Sequence, residues 1–132
     1  MEAEFLADAA LKATAVELRA LVATSHNAKS RARVLELYSQ DALATPEDYL
    51  NAARILTSAS EPPTRLLANE FAALAAMRGH PHGGRVFAET WDRFIGGIGR
   101  PSRYGTRGSL VIRASTGPAV RRFFGLEGSG GW

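Results

Sequence analysis

The 132-residue chain contains no cysteine, so disulfides, thiolate zinc sites and a cysteine nucleophile are excluded, while the redox compartment stays open. Lysine is nearly absent, since of 16 basic residues only Lys12 and Lys29 are Lys. Together with abundant alanine this fits the codon bias of a GC-rich bacterial genome, which makes the arginine richness weak evidence for function. No glycine occurs before Gly79, and 20 of the 23 Ala lie at or before position 76. Alanine is the best helix former and glycine nearly the worst, so a helical first part and a looped last part are expected. No apolar run approaches the roughly 18–20 residues that span a bilayer, and Ser109-Leu110-Val111-Ile112 is followed at once by Arg113. A soluble protein with no membrane association is expected. Glu2, Glu4 and Asp8 conflict with a basic secretory region and with an acid-poor transit peptide, which predicts a cytoplasmic location.

Hydrophobic residues make up 45% of the chain and charged residues 22%, which is ordinary globular usage and argues against collagen, coiled-coil and disordered classes. The length favours one domain, over residues 1–126, with a helical core at 2–98 and a wrapping segment at 99–126. Residues 127–132, rich in Gly and Ser, read as a flexible tail. Residues 1–78 carry 8 basic and 10 acidic groups, whereas residues 79–132 carry 8 basic and 3 acidic groups. The C-terminal third is the basic region.

Periodicity predicts five helices. The first runs over about Glu2 to Thr24, with Leu11, Ala15, Leu18 and Val22 as its buried stripe, and the second over Lys29 to Gln40 with Val34, Leu35, Leu37 and Tyr38. The third has the clearest start, with Thr45 as N-cap, Pro46 at the first helical position and Glu47 and Asp48 in the first turn. It ends near Thr57. The fourth starts around Pro63-Thr64, buries Leu67, Phe71 and Leu74, and stops at Gly79. His80-Pro81-His82-Gly83-Gly84 reads as a turn, and the fifth helix as Arg85 to Ile95, ended by Gly96, Gly97 and Gly99. Its buried face is expected to hold Phe87, Trp91, Phe94, Ile95 and Ile98. Short connections favour antiparallel neighbours, so the fold class is mainly α: stacked helical hairpins of tetratricopeptide-like packing without a true repeat. A strand at Ser109–Arg113 and a helical turn around Pro118 to Phe124 complete the expectation.

Trp91 to Thr106, WDRFIGGIGRPSRYGT, resembles the signature DR-x-L-x-x-x-G-x-P-Q-x-Y-G-T-Q of an uncharacterised bacterial family, a domain of unknown function. Asp92, Arg93, Gly99, Pro101, Tyr104, Gly105 and Thr106 match, and the likeness extends over about Ala52 to Leu126. The two glutamine positions are Ser102 and Arg107 here, and a Gln-His pair common before the fourth helix is Thr57-Ser58. The resemblance implies a helical fold and no particular activity.

Several groups invite chemistry, each beside a plainer account. Asp92 and Arg93 suggest a general acid or base with a tuning cation, but adjacent helical residues do not face each other, so an ion pair or cap fixing the Tyr-Gly-Thr loop is favoured. Glu89 lies one turn before Asp92, and such pairs on one helical turn are usually solvated. His80 and His82 share a side of an extended segment, yet two His without Cys make a weak metal site, and none is expected. The glycine runs Gly96-Gly97-Ile98-Gly99 and Gly105-Thr106-Arg107-Gly108 lack the phosphate-loop context, and no cofactor is expected. Arg100, Arg103, Arg107, Arg113, Arg121 and Arg122, with Tyr104, Phe123 and Phe124 interleaved, form a basic run that would suit phosphates and stacked bases, but the net charge of +3 is small.

The leading expectation is a module that binds a protein partner or a small-molecule ligand between the fourth and fifth helices and the Tyr104 loop. Trp91, Arg93, Arg103, Arg107 and His80 are its candidate contacts. The alternative is a small cofactor-independent cyclase, isomerase or hydrolase, with a place in specialised metabolism, in which Asp92 is acid or base and Tyr104 and His82 assist. Nucleic-acid binding ranks below both.

Overall fold

The second and third helices are started by short polar side chains. Asn27 Oδ1 accepts the backbone N–H of Ser30 at 3.0 Å while Ser30 Oγ accepts that of Asn27 at 2.9 Å, a reciprocal box that satisfies two otherwise orphaned donors. Thr45 and Asp48 repeat the device, and Pro46 fills the first helical position, as the sequence predicts. The computed structural model describes residues 2–106 and 118–126. Among them are six helices: α1 (Glu2–Thr24), α2 (Ala28–Ser39), α3 (Pro46–Leu56), α4 (Pro62–Met77), α5 (Gly83–Gly97) and α6 (Pro118–Phe123). None of the described residues forms a strand, and no described helix is long and apolar enough to cross a membrane. The expected strand at Ser109–Arg113, the candidate contact Arg107 and the tail at 127–132 lie outside the described residues.

Contacts between helix ends give the topology. Arg78, just past α4, donates to the Ala44 carbonyl before α3, and His80 meets Glu47 in the first turn of α3, so α3 and α4 run antiparallel. Arg65 near the start of α4 lies over Gly97 at the end of α5, and Gly83 at the start of α5 abuts Ala76, so α4 and α5 are antiparallel too. Helices α1 and α2 are bridged by Arg33 and Glu17, and both pack on α3. Helix α3 is the hub, touching all four other long helices.

The main core gathers Leu18, Val34, Leu50, Ile55, Leu56 and Phe71. Alanines at 68, 72 and 75 keep the buried face of α4 thin, which lets α3 and α5 approach it closely. A smaller cluster of Ala88, Tyr104 and Leu126, flanked by Phe87, Trp91 and Phe124, seats the C-terminal segment on α5. Phe87 belongs to the rim of both clusters.

Several expected positions differ. Helix α5 starts two residues earlier than its periodicity suggests and runs through Gly96 and Gly97; its terminator is Gly99, at φ +81°. Its buried residues include Val86, Ala88, Thr90, Asp92 and Ile95, while Phe87, Trp91 and Phe94 are half-buried and Ile98 is exposed. The reason is that α5 is covered from two sides, by α4 and by the C-terminal segment, so a single apolar stripe does not describe it. Leu11, Leu35 and Tyr38 are also exposed, since α1 and α2 lie on the outside of α3 with little else to cover them.

Candidate functional site

Asp92 sits in the third turn of α5 with none of its surface exposed. Its Oδ1 accepts the backbone N–H groups of Arg103 at 2.8 Å and Tyr104 at 3.0 Å. Its Oδ2 accepts the Thr106 N–H at 3.0 Å and the Thr106 hydroxyl at 2.7 Å. A carboxylate offers about four acceptor sites, so these donors occupy the group. Within the loop, Ser102 Oγ accepts the Gly105 N–H at 2.9 Å. Tyr104 is buried, with its ring 4.8 Å from that of Phe124. Its carbonyl accepts from Arg121, which also donates to the Leu126 carbonyl at 3.1 Å. One carboxylate thus folds the Tyr-Gly-Thr loop onto α5, and the loop in turn receives α6.

Beside this clamp lies a groove of about 510 Å³. Helix α3 lines it with Arg54 and Thr57, α5 with Arg85, Glu89, Thr90 and Arg93, and the clamped loop with Gly105 and Thr106. His26 also lines it, held near α3 because Arg31 bridges the His26 carbonyl and Ser58 Oγ just past that helix. The His26 ring donates from Nε2 to the Val22 carbonyl at 2.9 Å. Arg85 donates to Glu89 at 3.1 Å and to the Gly125 carbonyl at 3.2 Å. Arg54 makes no hydrogen bond among the described residues, and the buried Thr57 hydroxyl likewise has no partner there.

The expected site residues therefore separate. Arg93 lines the groove; Asp92 and Tyr104 are buried behind it, and Arg103 lies with its guanidinium 5.4 Å from the Tyr104 ring centroid. Trp91 packs against Phe94, with ring centroids 5.6 Å apart. His80 and His82 do not line the groove; they belong to the α4–α5 turn, ten or more residues before Asp92, which lies about 14 Å along α5 from its first residue. There the His82 N–H donates to His80 Nδ1 at 3.0 Å, which leaves Nε2 carrying the hydrogen donated to Glu47 at 2.6 Å. That bond, with smaller help from Asn51 and Arg54, holds the Glu47 carboxyl below its ordinary pKa. No group of three or more metal-ligating side chains occurs among the described residues.

The sequence suggests a groove between the fourth and fifth helices, and the groove of about 510 Å³ lies elsewhere. It opens between α3 and α5, while between α4 and α5 there is a smaller hollow of about 220 Å³ at Arg65, Arg93, Gly96 and Gly97. Also along α4 and α5, an apolar hollow of about 260 Å³ lies at Ala73, Ala76, Met77, Phe87, Phe123 and Phe124. Arg85, Glu89 and Arg93 were legible in principle, since residues four apart share a helix face. Arg54 and His26 carry no such signal, as only packing brings them near α5. No family model, curated protein or solved structure matches the chain.

Proposed function

We propose that this is a small helical binding module whose ligand is a small polar molecule seated in the groove between α3, α5 and the clamped loop. The observation that carries this reading is the wall of that groove: Thr106 is held by Asp92 and Gly105 by Ser102 before any ligand arrives, which lowers the ordering cost of binding. The volume falls in the range of small-molecule sites. The likeness of the DR…G-x-P…Y-G-T pattern to a family signature belongs to the same proposal, supported by Asp92, Tyr104, Gly105 and Thr106 forming one hydrogen-bonded unit. So does a bacterial setting, supported by the arginine- and alanine-rich composition.

The other readings have less support. Acid–base catalysis by Asp92 requires a buried carboxylate to release bonds that hold the loop, so a catalytic reading falls back on Glu89. Nucleic-acid binding loses Arg121, which is buried on carbonyl oxygens. Amide chemical-shift mapping with a panel of small polar metabolites tests the proposal. Perturbations at Arg54, Glu89, Gly105 and Thr106, with Met77 and Phe123 silent, are expected. Perturbations confined to Met77, Phe87 and Phe123 overturn it and move the binding face to the apolar hollow.

A further inference from the structure

The groove gathers three guanidinium groups, those of Arg54, Arg85 and Arg93, around a single carboxylate, Glu89. Like charges converging in a concavity repel one another unless a counter-charge enters, and the field they create there is positive. Glu89 bonds Arg85, and Arg93 has a partner of its own, which leaves Arg54 as the arginine in question. The Glu89 bond is to Arg85 Nε, with both side chains about half exposed, while Arg54, from the opposite wall, has no hydrogen bond among the described residues and only a minor charge interaction with Glu47 on its own helix. Thr57, one turn beyond, adds a hydroxyl that likewise has no partner among them. Guanidinium forks are suited to oxyanions, which accept two parallel N–H bonds at once.

We infer that the ligand of this groove carries a phosphate or carboxylate group, bound by Arg54 across from Arg85 and Arg93, with the Thr57 hydroxyl as an additional donor. The inference rests on the groove being the binding site. It concerns a small molecule rather than a polymer, because the basic run that a nucleic-acid strand would need is interrupted. Arg121 is withdrawn onto the Tyr104 and Leu126 carbonyls and Arg103 lies against the Tyr104 ring.

The test titrates the full chain with inorganic phosphate, succinate, neutral glucose and a short thymidine oligonucleotide, following groove amides by NMR. Phosphate and succinate are expected to shift Arg54, Glu89 and Thr106, and glucose is not. Arg54→Met should weaken the anions by about tenfold or more, the loss expected for a charge-assisted hydrogen bond. Its melting temperature should move by no more than a few degrees, since the guanidinium makes no hydrogen bond among the described residues and contributes only a minor charge interaction with Glu47 and a favourable place near the end of α3. Arg122→Met, which removes an exposed arginine of α6, should leave anion binding unchanged. If glucose occupies the groove as well as phosphate does and Arg54→Met has no effect, the oxyanion inference fails while the groove survives. Tighter, steeply salt-dependent binding of the oligonucleotide also overturns the inference, in favour of a polymer. If no probe perturbs the groove amides, the inference and the reading beneath it fall together.

Discussion

Asp92 shows how much one side chain can decide. Its four accepted bonds satisfy three backbone N–H groups that the loop would otherwise bury unpaired, each at a cost of about 1–3 kcal/mol. Asp92→Asn keeps the shape but turns one acceptor into a donor facing other donors. We expect a loss of about 2–4 kcal/mol in urea unfolding, with amide exchange protection lost first at Arg103, Tyr104 and Thr106. An unchanged unfolding curve would return Asp92 to the catalytic candidates. Glu47 makes a smaller, pH-dependent contribution. Because its carboxyl titrates lower in the folded chain than in the unfolded one, its contribution is full above about pH 4.5 and is lost as the pH falls through the folded value. With the Glu47 side chain 47% exposed, that contribution is at most about 1 kcal/mol. Stability measured from pH 6 down to pH 3 should therefore fall less for Glu47→Gln than for the parent, and equal slopes would rule the pair out as a source of acid sensitivity.

Between helices, the α4–α5 crossing depends on a missing side chain. A Cβ placed on Gly83 would sit 2.5 Å from both Cα and N of Ala76, which is backbone that cannot swing aside. Gly83→Ala must therefore push α5 away from α4. The polar bridge inside that interface, Asn69 Nδ2 to the Phe87 carbonyl at 3.0 Å and to Thr90 Oγ1 at 3.1 Å, would be stretched with it. A destabilisation of about 2–3 kcal/mol is expected from denaturant midpoints, in the range of overpacked cores. Gly79, with φ +90° and open space around its α-carbon, is the contrast: alanine there meets only backbone strain, of about 1 kcal/mol. Equal losses at the two positions would mean that the close approach is not what Gly83 is for.

Taken whole, the described residues form two apolar clusters that meet at Phe87, and the smaller is closed by a segment far along the chain. Shared packing of this kind couples the unfolding of both. With Trp132 replaced by Phe, the fluorescence of Trp91 reports the smaller cluster, while far-ultraviolet circular dichroism reports the helices around α3. We expect the two transitions to coincide in temperature and in denaturant. A fluorescence change well ahead of the helical one would show the C-terminal segment detaching as a separate unit.

Local chemistry made the helical class and most helix ends readable before any coordinates: the Ala-to-Gly change near position 79, the Thr45-Pro46 start and the 3.6-residue pattern each depend on neighbours in sequence. Asp92 and the Tyr-Gly-Thr loop were also visible as a constellation, because both lie within fifteen residues of each other. The pairing of helices into faces was not. Which side of α5 is buried depends on how many elements cover it, and no periodicity counts them. The groove is the clearest case. Arg54 and Thr57 lie about thirty residues or more from the nearest arginine or glutamate of α5, and His26 lies farther still. They converge only because Gly83 and the alanines of α4 draw α4 and α5 together, and the Asp92 clamp folds the C-terminal segment back over α5 beside the end of α3. Sequence sets each residue's local preference, but a concavity is defined by long-range packing, and that is where the candidate site comes from.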